Sequence, residues 1–172
     1  SATTGLQLKS SKKILEENVP FTMEADSLNC IILGEDVTPE MPEWDIFIKE
    51  VRKEMTTKCG QKCTAIRRIF VPKNKLEDVQ IALGKALGQT TIGNPLNEKV
   101  RMGSLAGETQ RQEVKAQIQK LLASSQIIYG SLDSVELIDA DANKGAFISP
   151  ILLFNQDPFA AKEVHEVEAF GP

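Results

Sequence analysis

This 172-residue chain has one histidine, one tryptophan, one tyrosine and only three cysteines, and each scarcity excludes something. An odd cysteine count gives no complete disulfide framework and favours free thiols in a reducing compartment, so a cytoplasmic location is expected. One histidine and three scattered cysteines make a poor metal set, and no metal is expected. No apolar run approaches the ~20 residues that cross a bilayer, and no signal-peptide pattern opens the chain, so no membrane role is expected. Positive charge is not in excess either. Twenty Lys and Arg against 24 Asp and Glu leave a net charge of −4, with no dominant field for nucleic acid. The pairs Lys12-Lys13 and Arg67-Arg68 read as solvated surface charge.

What is present suits one ordinary domain: 41% of residues are apolar and 26% charged. A chain of this length buries roughly 70% of its unfolded surface and needs no covalent staple. Leu6 to Asn18 reads as a helix ending before Pro20, and Leu28 to Leu33 as a buried strand closed by Gly34. Trp44, Phe47, Ile48, Val51 and Met55 recur at helical spacing within Pro42 to Lys58, with a proline near the start. Ala65 to Val71 is a strand stopped by Pro72. Leu76, Val79, Leu83 and Leu87 form a second helical stripe, and Val114, Ile118, Leu121 and Leu122 a third. Strand-like runs follow at Gln126 to Tyr129, Val135 to Ile138 and Ala146 to Phe154. This alternation predicts an α/β fold, a three-layer α/β/α sandwich with a largely parallel sheet, spanning residues 1–172 without repeat or linker.

Several motifs fail on geometry. Asp139, Asp141 and Asn143 imitate a calcium loop, but the glycine comes one place late at Gly145 and the twelfth position is Pro150, so the stretch reads as a turn. Gly84-Lys85 lacks the spacing of a phosphate loop, and no G-x-G-x-x-G occurs. His165-Glu166-Val167-Glu168 lacks the second histidine of a zinc protease helix, and His165 reads as a surface residue. Trp44 and the phenylalanines read as core. Cys59 and Cys63 have three residues between them where thioredoxin-type chemistry uses two. On spacing alone, a disulfide, a metal site, buried packing and a nucleophile all remain open.

The surroundings of Cys63 narrow this. Gly60-Gln61-Lys62-Cys63-Thr64-Ala65-Ile66-Arg67-Arg68 resembles the nucleophile motif of the aldehyde dehydrogenase superfamily, G-Q-x-C-x-A-x-x-R. Further stretches fall in family order. Ser1-Ala-Thr-Thr-Gly5 is similar to the tail of G-S-x-x-x-G. Gly93-Asn-Pro-Leu-Asn with Met102-Gly103 is similar to the family's glycine-x-proline region, Gly145-Ala-Phe-Ile-Ser-Pro150 to its glycine-aromatic-proline strand, and Glu168-Ala-Phe-Gly-Pro172 to E-x-F-G-P. Met23-Glu-Ala-Asp-Ser-Leu-Asn29 occupies the place of E-L-G-G-K-x-P. Glu24 falls on the family's glutamate, but Ala25-Asp26-Ser27 replaces both glycines. This variant resembles the branch in which the dehydrogenase is fused to a hydratase and acts in bacterial phenylacetate degradation.

The resemblance implies the chemistry. Cys63 adds to an aldehyde carbonyl, hydride passes to NAD or NADP, and a thioester remains. It assigns Glu24 as the general base for hydrolysis, Glu168 as the holder of the nicotinamide ribose and Ser1 as a neighbour of the cofactor pyrophosphate. Lys62, Arg67 or Arg68, if turned inward, would favour the Cys63 thiolate. Cys30 and Cys59 match no catalytic position and read as structural. The implied substrate is a CoA-linked aldehyde, and the implied parent a homo-oligomer. The chain has no initiating methionine, begins inside one motif and stops inside another. It reads as the catalytic domain of a longer enzyme, inactive without the cofactor-binding part. Two other classes fit a lone reactive cysteine: a cofactor-independent thiol esterase or acyltransferase, and a non-catalytic interaction module.

Overall fold

A computed structural model describes residues 2–172. Two short helices, α1 (Ala2–Lys9) and α2 (Lys12–Glu16), stand where one was expected. At the break, the Ser10 hydroxyl and the Ser10 N–H both donate to the Leu6 carbonyl, at 2.8 and 3.0 Å.

Strand β1 (Asn29–Ile32) pairs in parallel with β2 (Ile66–Phe70), and the crossover between them is α3 (Pro42–Thr56). Pro42 sits in the first turn of α3, with Glu43 and Asp45 at its positive end. Trp44, Phe47, Val51 and Met55 are its buried stripe. Helix α4 (Leu76–Gly88) buries Val79, Leu83 and Leu87, and these two stripes with Leu33 and Leu152 form a first core. Helix α5 (Glu108–Leu121) buries Val114 and Ile118 in a second core with Cys59, Ile92, Met102, Leu105, Ala146, Ile148 and Ile151. Strand β3 (Gln126–Tyr129) pairs antiparallel with β4 (Leu152–Phe154), and a single turn, α6 (Glu163–Glu166), precedes the final segment.

The α/β class holds, but the pairing is split into one parallel and one antiparallel two-stranded ladder. Val135 to Ile138 forms no strand, and only the last three residues of Ala146 to Phe154 do. Their backbone groups are satisfied elsewhere. Ile138 N–H donates to Ile92 O, Ile138 O accepts from Asn94 N–H, and Ala146 O accepts from Leu105 N–H, at 2.8 to 3.0 Å. An excursion over 92–105 therefore takes the bonds a sheet would have used. Gly93, at φ 155°, threads between Met102 and Ile138, and a β-carbon there would lie 2.0 Å from Ile138 O.

Burial corrects three further expectations. Ile32 is 70% exposed, so β1 is not a fully buried strand. Trp44 and Phe47 are core, whereas Phe159 is 99% exposed. Lys12 is solvated as expected, but Arg67 and Arg68 are half-buried and bind backbone carbonyls. The Asp139 to Gly145 stretch is the turn its composition indicated: Asp139 is left-handed at φ 52°, and Asp141 Oδ1 accepts from Asn143 N–H. Among the described residues, no helix is long and apolar enough to cross a membrane, and no group of three metal-ligating side chains assembles.

Candidate active site

The backbone leaving α3 turns left-handed at three successive residues: Lys58 (φ 52°), Cys59 (55°) and Gly60 (68°). Such conformations cost of order 1 kcal/mol each outside glycine, so surrounding contacts must enforce them. Gly60 must be glycine, because a β-carbon would stand 2.2 Å from the Gly171 carbonyl oxygen. The turn drives Cys59 inward, where it is 2% exposed and burial pushes its thiol pKa up to about 12. Four residues on, Cys63 emerges exposed. All three thiols are free. Position alone separates an inert thiol from an accessible one. Cys30, read as structural, is exposed at β1.

The side chains around Cys63 brace its loop. Gln61 Oε1 accepts from Ala106 N–H at 2.9 Å. Arg67 donates through Nη1 to Gly171 O at 2.8 Å and through Nη2 to Gly60 O at 2.7 Å, with its guanidinium 5.2 Å from the Phe170 ring centre. Burial lowers the Arg67 pKa, and the Glu168 carboxylate opposes that shift. Arg68 donates through Nε and Nη2 to Leu28 O at 3.0 and 2.5 Å. Its Nη1 lies 3.1 Å from His165 Nδ1, while His165 Nε2 lies 2.6 Å from Pro158 O. A histidine protonated at Nε2 satisfies both contacts. Lys62 pairs with Glu54 at 2.7 Å. The three cations expected to favour the Cys63 thiolate are thus committed to carbonyls, a carboxylate and a histidine.

Two distant segments meet this loop. Ser27 Oγ donates to Cys63 O at 2.7 Å, and Asn29 Nδ2 donates to the same oxygen at 2.7 Å and to Ala65 O at 3.1 Å. Ser27 N–H also donates to Glu168 Oε1 at 3.3 Å. Ser27 therefore stands between Cys63 and Glu168. Asp26, in the place of a family glycine, keeps a left-handed backbone at φ 59°, and its Oδ1 accepts from Ala2 N–H at 3.4 Å. The first segment is thereby drawn to this stretch, although Ser1 itself lies outside the described residues. Glu24 is exposed, three residues before Ser27.

Sequence reasoning missed Ser27, Asn29 and Arg67 as architecture. The first two had one signal, the replacement of glycines beside a matched glutamate. Arg67 had none, because an Arg-Arg pair looks the same whether enclosed or solvated. A cavity of about 790 Å³ lies between the two ladders; Arg67, Arg68, His165 and Gly171 line it, but not Cys63 or Glu24.

The model of the aldehyde dehydrogenase family matches residues 1–172. A 3,4-dehydroadipyl-CoA semialdehyde dehydrogenase from Aromatoleum evansii is 39% identical over all of this chain and 33% of its own length. A 1-pyrroline-5-carboxylate dehydrogenase from Oceanobacillus iheyensis is 26% identical over 79% of the chain and 25% of its own length. In fold, the chain is similar to the NAD+ complex of an aldehyde dehydrogenase from Bacillus cereus, with TM-score 0.78, 23% identity, and coverage of 100% of this chain and 32% of that one. A succinate-semialdehyde dehydrogenase from Burkholderia pseudomallei gives TM-score 0.75 at 19% identity, again over 100% of this chain and 33% of that one. The chain spans about a third of the length of these relatives.

Proposed function

The chain belongs to the aldehyde dehydrogenase family, and from that premise we propose that residues 1–172 are the catalytic domain of a longer cytoplasmic, homo-oligomeric enzyme that oxidises an aldehyde to a carboxylic acid. The name of the Aromatoleum evansii relative supports a CoA-linked semialdehyde as substrate, and the motif resemblance of the sequence favours one formed after ring opening in phenylacetate degradation. The E-A-D-S-L-N variant supports the branch with a fused hydratase.

Cys63 is the nucleophile. Its thiolate adds to the aldehyde carbon, forming a carbon–sulfur bond and a tetrahedral alkoxide. NAD or NADP, when bound, would supply the hydride acceptor. Loss of hydride from the adduct leaves the acyl group on Cys63 as a thioester. Glu24 takes a proton from water, the resulting hydroxide attacks the thioester, and carboxylic acid departs as the thiolate returns. Glu168 suits a ribose diol, because its carboxylate is acceptor-only and its contact with Ser27 N–H is long, leaving lone pairs for hydroxyl donors. Ser1 approaches the pyrophosphate.

The observation that carries this reading is the convergence of Cys63, Ser27 and Glu168, from three segments far apart in sequence, at one hydrogen-bonded junction. The test is the longer enzyme assayed with candidate semialdehydes and both nicotinamide cofactors. Cys63→Ala is expected to abolish oxidation, and Glu24→Gln to slow thioester hydrolysis by at least about 100-fold. Retained oxidation by the alanine variant sinks the mechanism. The 172 residues alone are expected to show no cofactor-dependent turnover, and detectable turnover would refute that part.

A further inference from the structure

The stretch from Glu24 to Asn29 departs from the family pattern at its two glycines, and the departure adds a side chain to the site. Asp26 takes a left-handed backbone, φ 59°, although it is not a glycine. Ser27 supplies a hydroxyl where glycine has nothing to offer. That hydroxyl lies 2.7 Å from Cys63 O and 3.4 Å from Glu168 Oε1, and the Ser27 N–H lies 3.3 Å from the same carboxylate oxygen. Asn29 Nδ2 fills the second lone pair of the Cys63 carbonyl.

We infer that Ser27 is a positioning residue that ties the carboxylate holding the cofactor ribose to the backbone of the nucleophile, setting one spacing between cofactor and thiol. The inference rests on the roles proposed above for Cys63 and Glu168. A serine hydroxyl has one proton and cannot donate to both acceptors at once. The shorter contact assigns that proton to Cys63 O, while the backbone N–H serves Glu168. Holding the Cys63 carbonyl with two donors fixes the peptide plane after Cys63 and steadies the direction of its side chain. Hydride transfer depends on that direction, since displacement by about 1 Å at a reacting centre costs up to ~100-fold in rate. Simple exposure of the thiol does not depend on it.

The experiment compares Ser27→Ala, Ser27→Gly and Ser27→Thr in the longer enzyme. Ser27→Gly installs the family's own residue, and Ser27→Thr keeps a hydroxyl. The alanine and glycine variants are expected to lose about tenfold in kcat with little change in aldehyde KM, and threonine to recover most of it. Labelling of Cys63 by iodoacetamide, followed peptide by peptide, is expected to stay within about twofold of the parent in all three. Full kcat in either hydroxyl-free variant, or threonine no better than alanine, overturns the inference. A Cys63→Ala control separates the two levels: if it still oxidises aldehyde, the functional reading has failed; if it is dead while Ser27→Ala runs at full rate, only the role of Ser27 has.

Discussion

The first core is made by helices α3 and α4, whose apolar stripes include Val51, Leu83 and Leu87; the second is made by one helix, α5, and extended segments joined by isolated bridges and single hydrogen bonds. Both exclude water from aliphatic side chains, so the hydrophobic contribution is of the same kind. The backbone solution differs. Helices satisfy their own N–H and C=O groups, whereas the 92–105 and 135–151 segments must find partners in one another. A helical core thus tolerates change in shape better than change in volume, while the threaded core is most sensitive where chains cross.

Substitutions at matched depth sharpen this contrast. Gly93→Ala places a methyl group against the Ile138 carbonyl at 2.0 Å and demands a backbone shift, so we expect the largest loss, at least about 3 kcal/mol. Leu83→Ala removes a fully buried side chain from the first core and is expected to cost about 3 kcal/mol, partly recovered by collapse of the helices. Urea unfolding of both variants checks the order. A Gly93→Ala protein as stable as the parent would erase the distinction.

Arg67 joins the strained turn to the final segment, since Gly60 O and Gly171 O accept from one guanidinium. Lysine carries one point charge and cannot reproduce that fork. Arg67→Lys is therefore expected to cost about 1 to 3 kcal/mol in the same urea assay, against less than about 0.5 kcal/mol for Lys12→Ala on the solvated α2 surface. Equal effects would show that the enclosed arginine contributes no more than a surface charge.

These contrasts explain what was legible beforehand. The helical stripes from Trp44 to Met55 and from Val79 to Leu87 appeared at their observed places because periodicity reports burial directly. Gln126 to Tyr129 formed a strand as expected, although it pairs antiparallel. Val135 to Ile138 misled, because a largely apolar run has the same composition whether it joins a sheet or a single bridge. At the site, matched motifs pointed to Cys63, Glu24 and Glu168, and the structure brings Cys63 and Glu168 to the same serine. Ser27, Asn29 and Arg67 were opaque because their importance lies in which carbonyl each reaches, a property of tertiary distance rather than of residue type.

The smallest effect tests the second core through its own thiol. Burial holds the Cys59 pKa near 12, while an unfolded cysteine ionises near about 8.5. Above that value the unfolded chain releases a proton that the folded chain retains. The contribution of the buried thiol is therefore fully present below about pH 8.5 and lost progressively as pH rises toward 12. Between pH 7 and 9 the loss amounts to about 1 kcal/mol. Thermal unfolding followed across that range should show a downward slope in the parent that is shallower in Cys59→Ala, whose stability is lower throughout because a buried sulfur is gone. Were the Cys59→Ala and parent slopes to coincide, the left-handed turn would not be carrying Cys59 into a closed core, and the division between an inert and an accessible cysteine would lose its structural basis.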